Sequence, residues 1–124
     1  MKKIIIIQDR KVLEYKSSFY RTNITEFEKY LDVFQSISYL APIEHCNIKN
    51  NQAELIDSNV NIIDLPHESK FRNIFLSKKI KKTIQKCIAN HDLMIIKMPS
   101  LGLAQYAIKE CLKEKKTFVV EVVG

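Results

Sequence analysis

The sequence predicts an α/β layered fold, a mainly parallel sheet with helices on both faces, and three observations lead there. Lys2 to Ile7 reads as a strand built on the all-apolar run Ile4-Ile5-Ile6-Ile7. Asp92 to Gly124 reads as a β-α-β unit ending in Thr117-Phe118-Val119-Val120-Glu121-Val122-Val123-Gly124. Between them, strand-like and helix-like patterns alternate. Near-continuous apolar runs are what strands covered on both faces of a parallel sheet require. Right-handed crossovers then distribute the helices over both faces.

The elements follow in order. After the first strand, residues 15–25 are polar and aromatic without periodicity, which predicts a loop. Asn23 with Glu26 fits a capping box that opens a helix, and Thr25 with Glu28 is a second register. That helix would turn Phe27, Tyr30, Leu31 and Phe34 inward. Ser36 to Ala41 alternates around Ile37 and Tyr39 and reads as a strand stopped by Pro42. Residues 43–58 suggest loops around a short strand near Gln52 to Ile56, and Val60 to Leu65 is a further strand ended by Pro66.

A helix follows within 69–90. At 100° per residue, Ile80, Ile84, Cys87 and Ile88 fall in a stripe about 100° wide, and Lys78, Lys79, Lys82 and Lys86 fall in the opposite one. A start at Ser77 would set three lysines against the positive end of the helix dipole. The reading therefore favours a start near Ser69, with Phe71, Ile74 and Phe75 packing separately. Leu93 to Ile96 is a strand leading into Lys97-Met98-Pro99-Ser100. The last helix, Gly102 to Lys115, would bury Leu103, Ala104, Ala107, Ile108 and Cys111 and expose Lys109, Glu110, Lys113 and Glu114.

Composition bounds the function. At 124 residues the chain is one domain at most, and 46% hydrophobic with 27% charged residues is ordinary for a globular protein. Two glycines and three prolines argue against disorder and against a turn-rich barrel. The four-residue run at the N-terminus is too short for a signal-peptide core or a membrane span, so a cytoplasmic chain is expected. Cys46, Cys87 and Cys111 are an odd, widely spaced set, which suits reduced and mostly buried thiols. The net charge of +6 is local: residues 70–89 hold seven basic residues and no acid, and the rest of the chain has 13 basic against 14 acidic.

Several residues are candidates for chemistry. Lys97 and Ser100 sit where a strand meets a helix, and Ser100 can either cap that helix or help receive a phosphate or sugar oxygen. Glu121 lies inside an apolar strand, where an unpaired charge is costly. It is expected to pair with a lysine, with a role as a sugar-hydroxyl acceptor as the alternative. Lys16, Ser17 and Ser18, with Tyr20 and Arg21, suit a sugar or phosphate and equally a solvated loop. Lys78, Lys79, Lys82 and Lys86 suit an anionic membrane surface, to which each lysine contributes about 1 kcal/mol. A solvated face is the plain alternative. Nucleic acid is the weaker rival, because the stripe lacks interleaved aromatics and amides for base reading. His45, His67 and His91 have no zinc-site spacing, and no glycine-rich phosphate or dinucleotide fingerprint is present, so neither metal nor cofactor is expected.

Lys97-Met98-Pro99-Ser100, a helix, and then Val119-Val120-Glu121-Val122-Val123-Gly124 resemble the N-terminal, Rossmann-like domain of bacterial GT-B glycosyltransferases that build capsular, exopolysaccharide or lipopolysaccharide chains. Tyr15 to Tyr20 and Phe27 to Phe34 agree more loosely. Residues 15–22 lack the glycine that the family commonly carries there. The resemblance implies transfer of a sugar from a nucleotide-sugar to a glycan or lipid-linked acceptor. The chain would be the acceptor-side portion, incomplete at its C-terminus and inactive alone, and a second domain or a partner chain would bind the donor. The alternative is a non-enzymatic α/β module that binds an anionic membrane or polyanion through the basic helix.

Overall fold

The computed structural model describes residues 2–66, 77–99 and 102–122. Its main sheet joins β1 (Ile4–Ile7), β4 (Ile37–Ala41), β7 (Val60–Asp64), β8 (Leu93–Met98) and β9 (Thr117–Val122) in the order β7-β4-β1-β8-β9, and every pairing is parallel. The chain thus builds outward from β1 to one edge, returns, and builds to the other. This is a Rossmann-like layered fold whose strand order reverses between β1 and β8.

The four isoleucines of β1 are fully buried because the strand is central and covered twice. Ile5 and Ile7 join Leu40, Met94 and Ile96 under α2 (Lys78–Asn90) and α3 (Leu103–Lys113). Ile4 and Ile6 join Phe27, Tyr30, Tyr39 and Ile95 under α1 (Thr25–Leu31). Phe27 and Tyr30 are buried as expected, and Leu31 and Phe34 pack more loosely beside them.

The segment expected to be a loop is instead a β-hairpin. β2 (Val12–Tyr15) and β3 (Ser18–Arg21) pair antiparallel across a two-residue turn in which Lys16 and Ser17 take φ of 48° and 64°. Such turns normally announce themselves with asparagine or glycine, and this one carries neither. The hairpin pairs with β5 (Ile43–His45) and β6 (Glu54–Leu55) in a second sheet ordered β5-β2-β3-β6. Pro42 ends β4 as expected, and its carbonyl accepts from the Val12 amide at 2.8 Å, tying the two sheets together. The second sheet is made from the segments that follow β1 and β4, beyond the carboxyl ends of those strands. The short strand expected near 52–56 is β6.

Neither proposed capping box forms. Asn23 Oδ1 accepts from the Thr25 amide at 3.0 Å, an Asx turn just outside α1, and the N-cap is Ile24 without a side-chain cap bond. Glu26 faces away from its helix end, toward two cations described below.

The start of α2 also corrects the expectation. Ser77 is its N-cap, with Oγ accepting from the Ile80 amide at 3.2 Å. A serine cap contributes about 1 kcal/mol, and each lysine near the dipole costs about 0.3–1 kcal/mol when exposed. Lys78, Lys79 and Lys81 are all exposed, so the cap and the buried stripe of Ile80, Ile84, Cys87 and Ile88 outweigh the charge conflict. Ser69 itself, and the packing expected of Phe71, Ile74 and Phe75, lie outside the described residues.

β9 lies at the sheet edge, where Val119, Val120 and Val122 are 47%, 38% and 81% exposed. Its composition suits an interior strand, but in this fold only Phe118 packs against the α2–α3 core. Glu110, expected on the surface of α3, is buried beside Tyr106.

Candidate functional site

The two carboxylates and two cations nearest the carboxyl end of β8 form one connected network. Side chains alternate along a strand, so Lys97 shares the α1 face of the sheet with Ile95. Parallel register sets Lys97 directly beside Glu121 on β9. The Lys97 Nζ donates to Glu121 Oε2 and lies 2.9 Å from Glu26 Oε2. Glu26 comes from the first turn of α1, and its other oxygen accepts from Arg21 at the end of β3. The Tyr30 hydroxyl donates to Glu121 Oε1.

The sequence expects Glu121 to pair with a lysine without saying which, and Lys97 is that lysine. It missed Arg21 and Glu26 as their partners, because the first was read into a loop and the second into a cap.

Aromatic rings wall this network. The Arg21 guanidinium lies 5.0 Å from the Phe27 ring centroid and 5.2 Å from that of Tyr39, and Lys97 lies 5.6 Å from that of Tyr30. Arg21 Nε is buried with no hydrogen-bond partner. The Tyr39 hydroxyl donates to Gln8 Oε1 at 3.0 Å and lies 3.2 Å from the Arg10 carbonyl oxygen, linking the network's wall to the end of β1. Two positive and two negative charges cancel. Lys97 is committed to two carboxylates, so a phosphate would have to displace them before binding there.

Titration reflects the same pairing. Burial alone would raise the Glu26 carboxyl, but Lys97 and Arg21 more than offset it and hold it below its ordinary value. Glu121 behaves likewise, with burial opposed by the hydrogen bonds from Lys97 and Tyr30. Burial would lower Lys97, and Glu121 and Glu26 together raise it. A depressed carboxylate contributes stability that is present above its unfolded pKa and is lost as pH falls through the folded one. The raised lysine contributes stability that is lost only above the ordinary lysine range. Thermal unfolding followed from neutral pH downward should therefore show stability falling once pH drops below about 4.5, the ordinary carboxylate value. Glu26→Gln with Glu121→Gln should flatten that acid limb, and an unchanged limb would remove the network as its cause.

The other sequence candidates lie elsewhere. Lys16 stands at the β2–β3 turn, 5.3 Å from the Tyr15 ring centroid. Ser17 and Ser18 line a cleft of about 730 Å³ between β3, α1, β6 and β7, with Phe19, Glu28, Asp57 and Asn61 among its walls. Among the described residues no basic side chain lines it, and these walls are unsuited to a phosphate. Phe27 stands between cleft and network, since it lines the first and stacks against Arg21 of the second. Ser100 lies outside the described residues. α3 begins after Gly102, whose φ of 75° makes the turn, with no side-chain cap bond.

His91, Cys87 and Cys111 are taken up by structure. His91 is buried, with Nδ1 2.6 Å from the Cys87 carbonyl and Nε2 3.0 Å from Ser38 Oγ. Burial pushes the Cys87 and Cys111 thiols up to about 11, which leaves them protonated and poorly nucleophilic. All three cysteines are free. His67 lies outside the described residues, and among those described no three His, Cys, Asp or Glu side chains gather as a metal site.

The lysine face of α2 is the remaining candidate. Lys78, Lys79, Lys82 and Lys86 are exposed as expected. Among the described residues, no carboxylate stands within ion-pair distance of them. No helix of the described residues is long and apolar enough to cross a membrane. No protein-family model matches the chain, and no curated protein or solved structure shows significant similarity to it.

Proposed function

We propose that this chain is the acceptor-side portion of a GT-B glycosyltransferase, which transfers a sugar from a nucleotide-sugar to a glycan or lipid-linked acceptor. The observation that carries the reading is the strand-order reversal between β1 and β8. Ligands of open α/β sheets bind beyond the carboxyl ends of strands at such a reversal. Here those ends carry Gln8 and Lys97-Met98-Pro99, the segment with the family resemblance. The reading assigns the nucleotide-sugar to a second domain, carried by further sequence or by a partner chain. Lys97 and Glu121 then act by fixing the ends of β8 and β9, since each is already paired with the other.

NMR titration of the chain with oligosaccharide acceptors tests this directly. Shifts should concentrate at Gln8, Arg10 and Met98, and nucleotide-sugar should be neither hydrolysed nor transferred by the chain alone. Turnover by the purified chain, abolished in Glu121→Gln, would overturn the division of labour. Absence of any shift at the β1 and β8 ends with every acceptor class would overturn the site.

A further inference from the structure

The α2 lysines occupy a position that folding alone disfavours. Lys78, Lys79 and Lys81 lie in the first turn, which contains no acidic residue, although acids there would favour the helix. The four lysines of the stripe project from the side opposite the buried isoleucines. From Lys78 to Lys86 they span about 12 Å of helix axis. Lys79, Lys82 and Lys86 continue with Lys113 of α3 into a shallow groove of about 630 Å³. Glu110 and Glu114 also line that groove, and among the described residues four cations against two anions leave it positive. A charge conflict retained at a helix start is the kind of local inconsistency that accompanies a function.

We propose that this face docks the protein on an anionic lipid bilayer. The positive surface is complementary to acidic headgroups, and flexible lysines act as point charges without demanding a fixed geometry. The face offers little to a nucleic acid. Gln85 at its margin donates to the Tyr106 hydroxyl at 2.6 Å, and Lys81 lies 5.6 Å from the Tyr106 ring centroid, so that amide and that ring are already engaged. The inference stands whether or not the glycosyltransferase reading does.

Flotation with phosphatidylcholine vesicles, with and without phosphatidylserine, provides the test. Binding should require phosphatidylserine and weaken with salt, because surface charge is screened within about 8 Å at physiological ionic strength. Changing Lys78, Lys79, Lys82 and Lys86 to glutamine should reduce partitioning by up to about three orders of magnitude at low salt, roughly fivefold per lysine. Changing them to arginine should preserve it. A control set, Lys2, Lys11, Lys49 and Lys109 to glutamine, should cost far less. Circular dichroism should show the four-glutamine variant folded, since all four side chains are exposed. If it is not folded, the lipid dependence of the wild type and the arginine variant decide the matter. Equal loss from the control set, undiminished binding in the four-glutamine variant, or tighter binding to duplex DNA or RNA than to the acidic vesicles at the same salt would each overturn the proposal.

Discussion

Replacing Lys97 with alanine should destabilise the protein by about 3 kcal/mol or more, measured by urea unfolding, because it strips one partner from two carboxylates at once. Glu26 would keep Arg21, and among the described residues Glu121 would keep the Tyr30 hydroxyl and the charge of Lys29. Removing one member of a buried ion pair costs more than the pair contributes, since the charge left behind stays desolvated. Lys97→Met combined with Glu121→Leu should therefore recover much of what Lys97→Met alone loses. That recovery is the diagnostic result, because a cavity or packing fault at Lys97 would not be repaired by a change on the neighbouring strand. A loss below about 1 kcal/mol for Lys97→Ala would mean that the network is solvated and contributes no more than a surface pair. It would also reopen Lys97 as a ligand-binding cation, a role that its two carboxylate partners now occupy.

The parallel core was legible because its signals are strong and local. Ile4 to Ile7 and Leu93 to Ile96 can hardly be anything but buried strands, and the stripe of Ile80, Ile84, Cys87 and Ile88 marks one helix face. What the sequence concealed lies in the second sheet. A turn made by Lys16 and Ser17 has no residue-type signature, because left-handed backbone at these residues is held by strand pairing and not by their own preference. Without a strand signal there, nothing in the sequence sets Arg21 at a strand end, and with that goes its link to Glu26 and Lys97. Glu26 itself was claimed by a capping rule that fits its spacing, yet tertiary charge decided its direction. β9 is a different case. Its composition suits an interior strand, but neighbours and not composition decide burial, and α3 covers it only at Phe118. α2 starts after Ser77 because a penalty of under about 1 kcal/mol per lysine is outweighed by a serine cap and four buried residues.

Truncating Ile5 and Ile6 together should abolish the fold, while each single change to alanine leaves it standing but weakened. Both side chains are fully buried at the centre of the main sheet. Removing a buried isoleucine to alanine costs about 2–5 kcal/mol through lost transfer energy and the cavity left behind. Two such losses approach or exceed the roughly 5–15 kcal/mol that holds a domain of ordinary stability together. The informative part is how they combine. Adjacent residues in a strand point to opposite faces, so Ile5 packs with the α2–α3 cluster and Ile6 with the α1 cluster. Although neighbours in sequence, they share no cavity, and their effects should add within about 0.5 kcal/mol. Ile5→Ala with Ile84→Ala removes two members of one cluster from elements 79 residues apart in the chain (Ile84 minus Ile5). That pair should depart from additivity by about 0.5–3 kcal/mol as the two voids merge or collapse. Where the double variants are too unstable, the same cycle with valine, at about 0.5–1.5 kcal/mol per site, keeps both within range of urea titration. Strong coupling between Ile5 and Ile6, with none between Ile5 and Ile84, would mean that the sheet is not covered on both faces as described.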